Sequence, residues 1–168
     1  MDESAIFTQA IAIFDNVAGI TTTYDYDAAP WCLSNTALPA VVGNFGPMID
    51  RDRPAGGRSS DGVRETQDFT FRVYVTPAVQ SATMGTLVAI AEPIMGAVLD
   101  AFDARPKLTN ASGTAAADFD RSTALLDEAY ITDHSGIVTR QYGRQNYIAI
   151  EYNLRISGQR VTAKVEGN

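Results

Sequence analysis

The amino-acid sequence predicts an α+β fold: a mixed, mainly antiparallel sheet with one long helix and an N-terminal helix packed on it, plus long loops. Three observations carry this. Residues 82–103 place apolar side chains at helical spacing, and residues 68–76 and 146–157 alternate apolar and polar residues with the period of a strand. Helices also fail to alternate regularly with strands. The order α, β, β, long loop, β, α, long loop, β, β argues against a doubly wound parallel sheet.

Residues 3–17 read as the first helix, with Ile6, Phe7, Ala10, Ile11, Phe14 and Val17 on one face. Asp2, Glu3 or Ser4 can cap or charge its start, and Gly19 follows its end. Residues 20–27 are β-prone, and Ala29-Pro30 closes them. Cys32, between Trp31 and Leu33, is expected to be a small buried hydrophobe, since no basic neighbour would lower its pKa. Residues 38–45 form a second candidate strand. Pro39 near its start suggests an edge or first-residue position.

Residues 46–66, GPMIDRDRPAGGRSSDGVRET, change character. They hold four arginines, three aspartates, a glutamate, four glycines and two prolines with no apolar period. This is a long loop or an extended hairpin arm, and such segments in compact domains usually carry function or disorder. The strand at 68–76 follows, stopped by Pro77.

The helix at 82–103 has a broad apolar stripe of Leu87, Ile90, Ala91, Ile94, Val98, Leu99 and Phe102. Pro93 inside it removes a backbone hydrogen bond and predicts a kink or break. A second loop spans 104–122. Strands at 125–142 and 146–157 close the domain, joined by a hairpin turn at Gly143-Arg144-Gln145, with a turn or bulge at Asp133–Gly136. Phe69, Phe71, Val73, Val75, Ile148, Ile150, Tyr152, Leu154 and Ile156 are expected on the inner sheet face against the long helix. Residues 1–157 thus form one domain, and 158–168 a polar tail.

A chain of 168 residues suits one domain with a real core. One cysteine allows no internal disulfide. No basic-then-apolar leader and no apolar run of about 20 residues free of charge and proline is visible, so the expected setting is a cytosol, or a particle assembled there, without a membrane. The net charge of −7 lacks the basic stripe of a non-specific nucleic-acid binder.

The sequence holds few residue patterns that carry chemistry, and the expectation is no enzyme, no catalytic residue, no cofactor and no metal. Asp133, His134 and Ser135 are adjacent, and adjacent side chains do not by themselves take triad geometry. Asp25 with Asp27, and Asp118 with Asp120, match no calcium-loop pattern. Gly56-Gly57 has no strand before it and no helix after it to aim backbone N–H groups at a phosphate. The remaining set is Arg51, Asp52, Arg53, Arg58 and Arg64. Read blandly, it is a solvated loop; read functionally, it is an arm that contacts another subunit, because arginine suits bidentate interface contacts.

The helix SAIFTQAIAIFDNV, the segment ALPAVVGNFG, the strand DFTFRVYVTP leading into GTLVAIAEPIMGAVLDAF, and the hairpin ending in QNYIAIEYNLRI together cover most of the chain. In that order they resemble the tail terminator (tail completion) proteins of long-tailed bacteriophages. The resemblance implies a structural virion protein of the tail or neck. It would self-associate into a ring, a hexamer in that family, at the head-proximal end of the tail tube. Its partners would be the tail tube protein and head-completion or connector proteins. DNA would pass through the lumen without specific binding, which an acidic ring favours by like-charge repulsion. The alternatives are another tail component, such as a tube or baseplate subunit, and a small-molecule-binding domain. The last would need convergent polar groups in a pocket.

Overall fold

The protein is described from a computed structural model that covers residues 3–25, 29–52, 63–78, 83–106, 108 and 124–160. Among the described residues, two α-helices and five strands follow one another as α1 (Glu3–Asp15), β1 (Thr22–Tyr24), β2 (Ala40–Asp52), β3 (Val63–Pro77), α2 (Met84–Asp103), β4 (Ala124–Tyr142) and β5 (Gln145–Arg160), with one 3-10 turn at Asn35–Ala37 between β1 and β2. The sheet order is β1-β2-β3-β5-β4. β1 runs parallel to β2, and every other pairing is antiparallel. The α+β class and the two helices expected from the sequence are present.

Both helices lie on one face of the sheet because their apolar stripes match its inner row. Ile6, Phe7, Phe14, Ala91, Ile94, Val98 and Phe102 form one buried cluster with Phe69, Phe71, Val73, Val75, Ile150, Tyr152, Leu154 and Ile156. Ile148, the ninth residue expected there, is also buried, nearer the strand end and outside that cluster. Phe14 ties the layers together. Its ring centroid stands 5.0 Å from Phe71, 5.1 Å from Phe102 and 6.2 Å from Tyr152. Tilted and edge-on ring pairs at such distances add to the area they bury. Gly43 on β2 is fixed by the same cluster: a Cβ there would come within 2.5 Å of the Phe7 ring and 2.7 Å of Phe71.

α2 begins at Thr83, whose hydroxyl accepts from the Thr86 N–H at 3.4 Å. It continues through Pro93 without a break. Pro93 and Ala89, whose carbonyl loses its helical partner, are both exposed, so water can satisfy that carbonyl.

The other sheet face departs from a simple solvated strand surface. The segment 29–38 lies across it and covers a second small core of Leu33, Ala40, Val42, Tyr74, Tyr147 and Ala149. Tyr74 and Ala149 alternate with the inner-face residues of β3 and β5 and so fall on this face, where they are buried. Ring contacts of Tyr74 with Tyr142 (5.2 Å) and Tyr147 (5.6 Å) fill this layer. The molecule is therefore three layers deep at this end.

Strands reach further than the sequence suggests. Residues 46–52 belong to β2 and 63–66 to β3, paired through Arg51↔Glu65 and Asp52↔Arg64. The segment 46–66 is therefore an extended hairpin arm rather than a loop throughout, and its tip, 53–62, lies outside the described residues. Of 104–122, Ala104 caps α2 and Leu108 is fully buried, with the Ala129 N–H donating to the Pro106 carbonyl at 2.7 Å. Residues 109–122 lie outside the described set. Residues 158–160 complete β5 rather than starting a tail, and 161–168 are likewise outside. β4, at the sheet edge, carries three irregularities of register, the last at His134/Ile137 with Gly136 at φ 66°. This is the bulge expected at 133–136, and bulges blunt an edge against unwanted pairing.

Candidate assembly surfaces

The arginine set divides. Arg51 and Asp52 end β2, and their cross-strand neighbours are Glu65 and Arg64. Arg64 is exposed. Arg53 and Arg58 lie outside the described residues. This part of β3 also pairs on its other side with β5, through Arg64↔Gln159 and Glu65↔Gly158, so the base of the arm belongs to the body of the sheet.

The residues weighed for chemistry at 133–135 are hydrogen-bonded within the β4–β5 pair. Asp133 accepts from the Asn153 amide at 2.6 Å. His134 Nδ1 accepts from the Gly136 N–H at 3.1 Å. Ser135 Oγ accepts from the Glu151 N–H at 3.0 Å and donates to the Gly136 carbonyl at 2.9 Å. Each side chain is engaged in shaping the bulge. Asp25 accepts from the Thr8 hydroxyl at 3.1 Å; Asp27, Asp118 and Asp120 are outside the described residues. Among the described residues no three His, Cys, Asp or Glu side chains gather closely enough to hold a metal ion.

Beyond the second core, the outer sheet face is a polar ladder. Arg72 Nε and Arg140 Nε both donate to Glu151 Oε2, at 2.6 and 3.3 Å, and Arg155 pairs with Asp68 at 3.0 and 3.1 Å. Burial alone would raise the Glu151 carboxyl. The hydrogen bonds from the two arginines outweigh that and hold it below its ordinary range. Thr70 donates to Asn153 at 3.0 Å.

Two surfaces stand apart. The first is Trp31, 96% exposed. Its backbone is held fast: the Tyr142 hydroxyl donates to the Pro30 carbonyl, the Tyr147 hydroxyl donates to the Leu33 carbonyl at 3.1 Å, and the Trp31 carbonyl packs against Gly143 in the β4–β5 turn. Burial raises both phenols above their usual range, which keeps them protonated as donors. Cys32, expected to be buried, is exposed. Pinning the chain at Pro30 and Leu33 turns the intervening side chains outward, and Trp31, Cys32, Gly143, Arg144 and Gln145 line an open cleft.

The second surface is the outside of α2. Residues 85–103 are long and apolar enough to cross a membrane by length and composition alone, yet only 28% of this stretch is buried in the fold. Val88 is 37% and Ile90 43% exposed, although Ile90 was expected in the buried stripe. Covering helices on sheets normally present a polar outer face.

No protein-family model matches the chain, and no curated protein matches it in sequence.

Sequence reasoning reached the arm but passed over Trp31. A usable signal was present: Tyr74, Tyr142 and Tyr147 on or beside supposedly solvated strand faces imply a covering segment, and Ala29-Pro30-Trp31-Cys32-Leu33 is apolar enough to be that cover.

Proposed function

We propose that the chain is a ring-forming structural subunit at the head–tail junction of a tailed phage, a tail terminator (tail completion) protein. The observation that carries this reading is a pair of uncovered apolar surfaces, Trp31 on one side of the sheet and the outer face of α2 on the other. A domain working alone gains nothing by exposing both, whereas a ring subunit buries one against each neighbour. The element order supports the reading, since an N-terminal helix, a mixed sheet, one long covering helix and a closing hairpin are what the family resemblance leads one to expect.

In this role the β2–β3 arm, with Arg51, Asp52, Arg53, Arg58 and Arg64, reaches a neighbouring protein in the assembly: the next subunit, the tail tube or a connector. The net charge of −7 lets duplex DNA pass a lumen without sticking. A tail tube subunit is the second reading. It is favoured by the weight of strand over helix, with the five strands holding roughly twice as many residues as the two helices.

Negative-stain imaging of the concentrated protein tests the first reading. Closed rings with a central channel are expected; stacked tubes would favour the second, and dispersed single domains would remove both.

A further inference from the structure

We infer that Trp31 of one copy seats on the exposed face of α2 of a second copy, with Arg144 of the first against Glu92 of the second. The inference deepens the ring reading and takes its biological setting from it; the contact itself requires only self-association.

Trp31 has the properties of an interface anchor. It is the largest exposed apolar side chain among the described residues, and its backbone is held from both sides by the Tyr142 and Tyr147 hydroxyls and by Gly143. A pre-positioned tryptophan loses little freedom on docking, and buried tryptophans dominate binding energies. Arg144 stands beside it in the same cleft, exposed and without an ion pair among the described residues.

The α2 face offers the complement. Glu92 is exposed, also without an ion pair among the described residues, and has Val88, Ala89, Met95 and Gly96 as its neighbours one turn away. It is a single carboxylate in apolar surroundings. Gly96 leaves open space where a side chain would stand, enough for the edge of a ring.

Charge decides which copy surface meets which. α1 and α2 contain Glu3, Asp15, Glu92, Asp100 and Asp103 and no lysine or arginine. Two α2 faces brought together would repel, so a symmetric helix-to-helix dimer is disfavoured. The cleft with Arg144 is attractive to that face. Trp31 belongs to the layer on one side of the sheet and α2 to the layer on the other. Copies joined this way stack head to tail, the heterologous arrangement that gives rings where the rotation between copies closes and filaments where it does not. A tryptophan covers about 150–250 Å², against about 800 Å² per partner in a stable interface. The contact is therefore the anchor of a wider interface that also uses the rest of the exposed α2 face.

The test uses the full chain, whose only tryptophan reports its own surroundings. Sedimentation velocity and tryptophan emission are followed over a concentration series. The expected result is association accompanied by a blue shift. Trp31→Ala, at an exposed position that leaves folding intact by far-UV circular dichroism, weakens association about thirtyfold. Arg144→Glu and Glu92→Arg each weaken it about fivefold, and the two combined recover most of the loss. If the parent closes rings and Trp31→Ala closes them equally well, the contact is wrong while the ring reading stands. A parent that stays monomeric at all concentrations overturns both. A blue shift only on phosphatidylcholine–phosphatidylglycerol vesicles, with no change in mass, would assign the surface to a bilayer and overturn the contact.

Discussion

The carbonyl oxygen of Trp31 packs against the place a Cβ would occupy at Gly143, and Gly143 itself adopts a left-handed φ of 60°. The β4–β5 turn and the covering segment are thereby locked together. Only glycine meets both demands, because any side chain would strain the turn and push the segment away. Gly143→Ala should lower stability by about 1–3 kcal/mol. It should also loosen Trp31, read as a fall in tryptophan fluorescence anisotropy beside the thermal melt. An unchanged melt and anisotropy would show that the lock is unimportant.

Gly43 makes a parallel demand inside the main core. A methyl at this position would meet Phe7 and Phe71, both fully buried with their rings only 5.3 Å apart. Neither ring has space to retreat. Gly43→Ala should destabilise by about 1–3 kcal/mol through overpacking, measured by denaturant unfolding, with the effect relieved by adding Phe7→Leu.

Tyr152 is fully buried beside Phe14, and among the described residues its hydroxyl has no hydrogen-bond partner. Burial drives its phenol far above the usual range. Removing an unsatisfied buried hydroxyl while keeping the ring should be neutral or stabilising. Tyr152→Phe should therefore melt at or above the parent temperature. A loss of more than about 1 kcal/mol would mean that the hydroxyl has a partner.

Glu151 links Arg72 and Arg140 and titrates below its ordinary range. An unfolded glutamate titrates near about 4.3. The stabilisation from this carboxylate is thus complete above that value and drains away as the pH falls through the lower folded value. Glu151→Gln should lower stability at neutral pH and flatten its decline in acid. The effect is modest, because the arginines are partly exposed and screened by solvent. Unfolding free energies measured at neutral pH and in acid check this.

In the β2–β3 arm, Arg51 stands opposite Glu65, beyond two register shifts on either side of Met48. If the arm serves assembly, deleting 53–62 and closing the hairpin with Asn-Gly should leave the domain folded but weaken ring formation. Arg51→Glu with Arg53→Glu should weaken it in a salt-dependent manner. Both effects are read by sedimentation, and unchanged assembly would reduce the arm to a solvated insertion.

The clearest parts of the fold were legible because one physical rule governed each. Phe69 to Val75 and Ile148 to Ile156 alternate strictly, and a strand with one buried face must do so. Leu87, Ala91, Ile94, Val98 and Phe102 repeat at helical spacing because α2 covers that face. Legibility failed where two rules competed. Tyr74 and Ala149 alternate onto the outer face, where pattern alone predicts solvent, yet the segment 29–38 buries them. Cys32 was misjudged because its composition says core, while the pins at Pro30 and Leu33 turn it out. In 46–66, charges and glycines left a long loop and an extended hairpin arm both open, and only cross-strand pairing through Asp52↔Arg64, beyond the apolar pattern, decides for the hairpin.

The proposed ring is tested most directly by the mass distribution of the parent protein across a wide concentration series, using sedimentation velocity at moderate salt. The account predicts a passage from monomer to one discrete closed species, with no further growth as concentration rises. A monomer that persists at the highest concentration, or masses that keep growing without a plateau, would contradict it.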